Sequence, residues 1–264
     1  MKNNGKIIFL IILLSVVVFG LSIFLVHTIN HGFNFNLGSF SKKESQVIFE
    51  KKFEITDDLK YLSITEEYGD IIFKEATTND ISLVMYGDPE NTEYSAEVKE
   101  GTLNIFQKNK NKISFFNFKN YESKIELTAP KDYWEKINIQ SDYGDCKLGN
   151  LDKATINIDV DYGDVEIGKI STVNIKSDYG DINIEEVLNK CTIKSDYGDT
   201  KIEKLNIKEN SDIRTDYGDV KIKNTNDINI EVDVDLGDKK VNNSNRKSDI
   251  TLKINCDMGD VEVN

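Results

Sequence analysis

Seven times in the second half of the chain a glycine is flanked by two aspartates, in SDYGDC, VDYGDV, SDYGDI, SDYGDT, TDYGDV, VDLGDK and CDMGDV. The glycines are Gly144, Gly163, Gly180, Gly198, Gly218, Gly237 and Gly259. If successive copies stack, Asp142, Asp161, Asp178, Asp196 and Asp216 form one line and Asp145, Asp164, Asp181, Asp199 and Asp219 another. Carboxylates about 5 Å apart repel by roughly 1 kcal/mol in water and roughly 3 kcal/mol at an effective dielectric of about 20. Solvent screens that cost or cations offset it. Ca²⁺, which takes about six to eight oxygen ligands, would bridge adjacent copies. The opposing reading is structural, because Asp beside a turn glycine accepts turn N–H groups. The spacing has neither the GGxGxDx nonapeptide nor the EF-hand pattern. We therefore expect turn residues first, Ca²⁺ as a weak ligand of the ladder, and no other cofactor.

A second cluster is QKNKNKISFFNFKNYESK, residues 107 to 124, where Lys108, Lys110 and Lys112 precede Phe115 and Phe116 in an otherwise acidic chain. Exposed, such a segment contacts an anionic headgroup or envelope polymer. As a twisted hairpin it caps the repeat array instead, and that reading is preferred because stacked repeats need a cap. Tyr143, Tyr162, Tyr179, Tyr197 and Tyr217 form either a sugar-stacking stripe or a ladder packed in the core. Leu236 and Met258 take their place in later copies, which favours packing. Cys146, Cys191 and Cys256 occupy unequal slots on the expected inward face, without a CxxC or Cys/His cluster, and are expected to be buried free thiols. The only histidines, His27 and His31, lie far from the repeats. No base is in place to activate a nucleophile.

These residues need strands to position them. The 264-residue chain is 30% charged and 39% hydrophobic with a formal charge of -13, and it favours Ile, Val, Thr, Asn and Asp over Ala and Leu. That composition suits strands and turns, and the acidic excess argues against nucleic acid as a partner. Alternation sets the faces. Ile156, Ile158, Val160 and Tyr162 share one side of a strand and Asn157, Asp159 and Asp161 the other. The glycine spacings of 19, 17, 18, 20, 19 and 22 residues are those of a solenoid with a period of about 19. An outlying copy, EEYGDI at Gly69, marks the earlier region as a diverged start. D-Y-G-D places Gly where a type II turn needs positive φ, which fits stacked coils better than hairpins. The fold class is all-β, a β-helix-like solenoid, with an antiparallel β-sandwich as the alternative.

Residues 7 to 26 hold no charge over a length that spans a bilayer as one transmembrane helix. Lys2 and Lys6 precede it, so residues 1 to 6 are expected in the cytoplasm and the rest outside the cell membrane. Residues 27 to 47 form a linker, 48 to 130 diverged repeats and a cap, and 131 to 264 the main array. The final DVEVN is expected to leave an open edge for self-association or a partner strand.

The run IELTAP at 125 to 130, then INIQSDYGDCKL and its later copies, resembles the bacterial putative-adhesin domain of unknown function over roughly residues 48 to 264. The resemblance implies a right-handed β-solenoid behind a single membrane helix. It also implies, for some members, an accessory role in envelope stress response systems of Gram-positive bacteria. It transfers no catalytic residue. The leading expectation is a non-enzymatic, membrane-anchored extracytoplasmic protein that binds an envelope polymer or a membrane or surface protein, as adhesin or stress accessory. The alternatives are a β-helix lyase or hydrolase acting on acidic polysaccharide, which needs a base or paired acids in a cleft, and a mechanical spacer.

Overall fold

The computed structural model describes residues 46–77, 79–110, 123–242 and 244–264. The expected membrane helix at 7–26, nearly all of the linker, and Lys112, Phe115 and Phe116 lie outside these residues. Among the described residues no helix is long and apolar enough to cross a membrane, and every regular element is a strand.

One coil of the array is a strand before the glycine and a strand after it. The first four central coils run through β8 (Lys136–Tyr143) and β9 (Cys146–Leu148), then β10 (Leu151–Tyr162), β11 (Val165–Tyr179) and β12 (Ile182–Tyr197), to β13 (Thr200–Leu205). Chain order continues with β14 (Ser211–Tyr217), β15 (Val220–Ile222), β16 (Asn229–Leu236), β17 (Lys239–Val241), β18 (Thr251–Met258) and β19 (Val261–Val263). Before them come β1 (Gln46–Phe53), β2 (Tyr61–Glu66), β3 (Asp70–Glu75), β4 (Ile81–Gly87), β5 (Thr92–Lys99), β6 (Thr102–Asn109) and β7 (Lys124–Ala129).

Pairing between coils is parallel and in register: Tyr162 lies opposite Tyr143 on one side and Tyr179 on the other. This excludes the antiparallel sandwich. Buried apolar side chains explain the register, since Ile137, Ile156, Val173 and Cys191 stack as one buried column. A one-residue slip would turn every such column to solvent. The strands after the glycines bury Leu148, Ile167, Ile184, Ile202, Ile222 and Val263, and a short third face adds Leu151, Ile170, Val187 and Leu205. The core is thus a set of aliphatic columns parallel to the stacking axis.

Chain order and spatial order differ at both ends. β2 lies between β6 and β8, so the coil beginning at Thr102 is outermost. At the other end β18 lies between β14 and β16, and β19 between β15 and β17. The last residues of the chain are therefore not the open edge. The chain overshoots to lay β16 and β17 as the outer coil, then returns to fill the gap, so its terminal strand gains partners on both sides. The free edge is that outer coil, where Glu231, Asp233, Asp235, Asp238, Lys239 and Lys240 are exposed and blunt it. The opposite end is covered by antiparallel strands, β5 on β6, β4 on β7 and β1 on β4.

The corners also depart from expectation. Type II turns place their glycine near φ of about +80°, whereas φ is 137° at Gly144, 135° at Gly180 and 151° at Gly259. This is the mirror image of extended strand, open only to glycine. It lets the ladder continue through the bend, with Gly180 N donating to Tyr197 O at 3.0 Å. A Cβ on Gly180 would lie 2.1 Å from the Gly163 carbonyl oxygen.

Strain and clash together predict that Gly180→Ala destabilises by about 3 kcal/mol or more. Gly149, where the nearest atom to an added Cβ is 4.0 Å away, should accept Ala within about 0.5 kcal/mol. Urea unfolding of the two variants checks the contrast.

Candidate binding surface

The corner explains the aspartate after each glycine. At the bend the next main-chain N–H finds no carbonyl in register, and the neighbouring coil's carboxylate supplies the acceptor. Asp164 N donates to Asp145 Oδ1 at 3.0 Å, Asp181 N to Asp164 Oδ1 at 2.8 Å, and Asp199 N to Asp181 Oδ1 at 2.9 Å. The series begins with Asp145 N on Asp70 and runs on through Asp219, Asp260 and Asp238 in spatial order, crossing the inserted terminal coil without a break. One residue later the regular ladder resumes, with Ile182 N donating to Asp199 O at 2.8 Å. This column is a set of hydrogen-bond acceptors replacing one missing rung per coil.

The aspartates before the tyrosines are a different population. Asp178 accepts from Lys176 Nζ at 3.1 Å and Asp196 from Lys194 Nζ at 2.9 Å. Burial, and then the charge of Asp161, hold the Asp142 carboxyl above its ordinary range. Asp216 completes the column beside Tyr217. Among the described residues no group of three or more His, Cys, Asp or Glu side chains is placed to hold a metal ion.

The tyrosines do not point into the core. They share the parity of Ile156 and Val160, yet they stand at the corner, where the chain bends away and leaves the rings on the surface. Tyr143, Tyr162, Tyr179, Tyr197 and Tyr217 are 45, 44, 43, 43 and 42% exposed. Tyr68 joins them, and successive ring centroids are 5.0, 4.9, 4.8, 4.8 and 4.7 Å apart with planes within 5° of parallel. Met258 and Leu236 extend the ridge at its far end, both exposed. The inward slot beside the corner belongs instead to small side chains, Ser141, Ser177, Ser195 and Thr215.

Outward columns line two shallow depressions. In the strands before the corners, Asn157 Nδ2 donates to Asn138 Oδ1 at 2.8 Å and Asn174 Nδ2 to Asn157 Oδ1 at 3.0 Å. Asp159, Lys176 and Lys194 border this asparagine ladder, and the hollow measures about 340 Å³. The strands after the corners form a broader hollow of about 800 Å³ lined by Lys147, Glu166, Asn183, Lys201 and Glu203.

Of the basic segment's lysines, Lys108, Lys110 and Lys124 are described, and all three are engaged locally, Lys124 Nζ lying 2.7 Å from Glu126. Lys108 Nζ lies 3.3 Å from Glu93 and 5.3 Å from the Phe106 ring centroid, and Lys110 Nζ donates to Glu90 O at 3.5 Å. The three cysteines are free and buried, as expected, and burial pushes the Cys146 and Cys191 thiols up to about 12.

Glu66 escaped the sequence reading. It stands in EEYGDI where other copies carry Ser, Thr, Val or Cys, and that slot faces inward, so Glu66 is 1% exposed. Oε1 accepts from Tyr68 N at 3.2 Å and Ser123 Oγ at 3.1 Å. Oε2 and the neighbouring Gln107 Oε1 have no hydrogen-bond partner. Burial, opposed by these hydrogen bonds and reinforced by Glu67 and Asp70, raises the carboxyl to about 8. Glu66 and Gln107 are register partners on adjacent strands, so both unpartnered oxygens lie on one buried pair. The signal was available as the one acidic residue in an otherwise small or apolar column.

Residues 59–264 match the family model for Toastrack DUF4097. No curated protein matches the sequence. Among solved structures, one described as a putative adhesin from Bacteroides fragilis NCTC 9343 is 17% identical, with a TM-score of 0.45, over 81% of this chain and 95% of its own. One described as a putative lipid binding protein from Parabacteroides distasonis ATCC 8503 is 16% identical, with a TM-score of 0.38, over 84% and 99%. One described as a putative cell adhesion protein from Clostridium sporogenes ATCC 15579 is 12% identical, with a TM-score of 0.37, over 81% and 97%.

Asp181→Ala removes the acceptor for Asp199 N and should cost about 1 kcal/mol, while Asp181→Asn keeps an acceptor and should cost less than about half of that. Urea titration separates a hydrogen-bond role from a purely charged one. Glu66 binds its proton more tightly folded than unfolded, so its contribution is greatest below 4.5 and declines as pH rises to about 8. Glu66→Gln should flatten the dependence of the melting temperature on pH across that window and be more stable than the parent at its upper end.

Proposed function

Because the chain belongs to the Toastrack DUF4097 family, a domain of unknown function, we propose that it is a non-enzymatic, membrane-anchored extracytoplasmic binding module. Its ligand is an envelope polymer or surface protein, and it acts as an adhesin-like protein or an envelope-stress accessory. The observation that carries this reading is translational sameness. The exposed Asp and Tyr columns repeat through five successive coils, from Asp142 and Tyr143 to Asp216 and Tyr217, and the asparagine ladder spans three of them, which suits an extended ligand contacting several coils. An enzyme acting on one bond would instead require one coil to differ accessibly. Glu66, the carboxyl furthest above its ordinary range, is 1% exposed and out of reach of a polysaccharide. The uncharged run at 7–26 supplies the anchor, with the binding unit outside the cell.

Excising residues 164–198 joins Gly163 to Asp199 in the same corner register and removes two coils. Co-sedimentation of the full-length and shortened chains with purified cell-wall polymer and membrane fractions tests the proposal. The full-length chain should bind one fraction, and shortening should weaken binding by about tenfold or more, as expected when several coils share the contact. Absence of binding to every fraction contradicts the reading. Binding that survives the excision unchanged contradicts the shared-coil contact and leaves the array as a spacer.

A further inference from the structure

We propose that the tyrosine ridge is a binding site for an elongated, planar aromatic cation lying along the stacking axis. The faces of the inner rings are already used. With centroids 4.7 to 5.0 Å apart and planes within 5°, no sugar ring or ammonium group fits between them, which removes the sugar-stacking reading. What the ridge offers solvent is a row of ring edges. The edge of an aromatic ring is its positive part, and it prefers the negative face of another ring. A flat ligand laid over the ridge receives several edges at once. Six rings at the inter-strand repeat span roughly 24 Å, so an elongated ligand gains more than a single ring does.

Charge orients that ligand. Asp142, Asp161, Asp164 and Asp181 flank Tyr143, Tyr162 and Tyr179, and none of them has an ion-pair partner among the described residues. Lys176 pairs with Asp178 as Lys194 does with Asp196, and Arg214 beside Tyr217 is paired with Asp212 at 2.7 Å, while Asp199, Asp216 and Asp219 also have no ion-pair partner among the described residues. The acid excess thus runs the length of the ridge. Asp142 and Asp161 already crowd one another, so a cation between them relieves repulsion. The positive end of the ligand sits near Tyr143 and Tyr162, and its aromatic tail runs toward Tyr197. The proposal shares the tyrosine column with envelope binding, and a dye assay without envelope material lets the two fail separately.

Equilibrium dialysis of thioflavin T, a flat benzothiazolium cation, against the full-length chain tests it, with fluorescence as a second readout and light scattering to confirm a monodisperse protein. Saturable binding is expected. Tyr162→Leu with Tyr179→Leu should weaken it by about tenfold, and Leu is chosen because Leu236 already occupies this column. Asp142→Asn with Asp161→Asn, which leaves the rings in place, should weaken it by about fivefold. If the tyrosine pair fails to fold, Tyr179→Leu alone and the aspartate pair carry the test. Absence of saturable binding, binding only by aggregates, or equal affinity in both double variants overturns the proposal. Equal affinity for a flat sulfonated dye overturns the requirement for a cation.

Discussion

At every corner the carbonyl oxygen of one glycine occupies the place where the next glycine's Cβ would be. Gly163 O lies 2.1 Å from the position a Cβ on Gly180 would take, and the same contact recurs from Gly144 to Gly237. Only glycine permits this approach together with φ above 130° at all seven motif corners. The approach holds the coils at strand spacing through the bend instead of letting them splay. That spacing in turn puts tyrosine rings in parallel contact, aligns the aliphatic columns, and brings each carboxylate to the N–H of the next coil.

An array held by neighbour contacts alone is weakest at its ends. Here the terminal strand, β19, is inserted between two others, so the chain end is among the paired strands. The outer coil carries the exposed charges that discourage further pairing, and antiparallel strands cover the other end. The interior then needs only columns of Ile, Val and Leu. Beside the small hydroxyl side chains next to the corners, the polar cluster of Glu66, Gln107 and Ser123 lies at the end where the repeat pattern has drifted most.

Much of this was legible in the residues, and the failures share a cause. Period-2 alternation assigned Ile156, Ile158 and Val160 to the core, and the glycine spacing implied stacking. Cys146 and Cys191 were placed inward correctly. Parity failed at Tyr162 because alternation assumes a straight strand, and the chain bends there. The same bend replaces the type II turn with a wider φ. The exchange of the last two coils was invisible because local pattern does not name a strand's partner; the polar stretch from Asn242 to Asp249 is the only hint that the chain doubles back. The acceptor role of Asp181 was half legible: a turn aspartate was expected to bond a turn N–H, but the N–H belongs to the neighbouring coil.

The surface chemistry follows from the same constraint, since a corner that admits only one spacing repeats whatever side chains flank it. Amide hydrogen exchange at the corners tests this most directly. Asp164, Asp181 and Asp199 lie in exposed turns, where unbonded amides exchange freely. The hydrogen-bonded ladder requires them to be protected nearly as well as the amides of Ile167 and Ile184 in the adjoining strands. Exchange at the rate of an unstructured loop, with the strands protected, would contradict it.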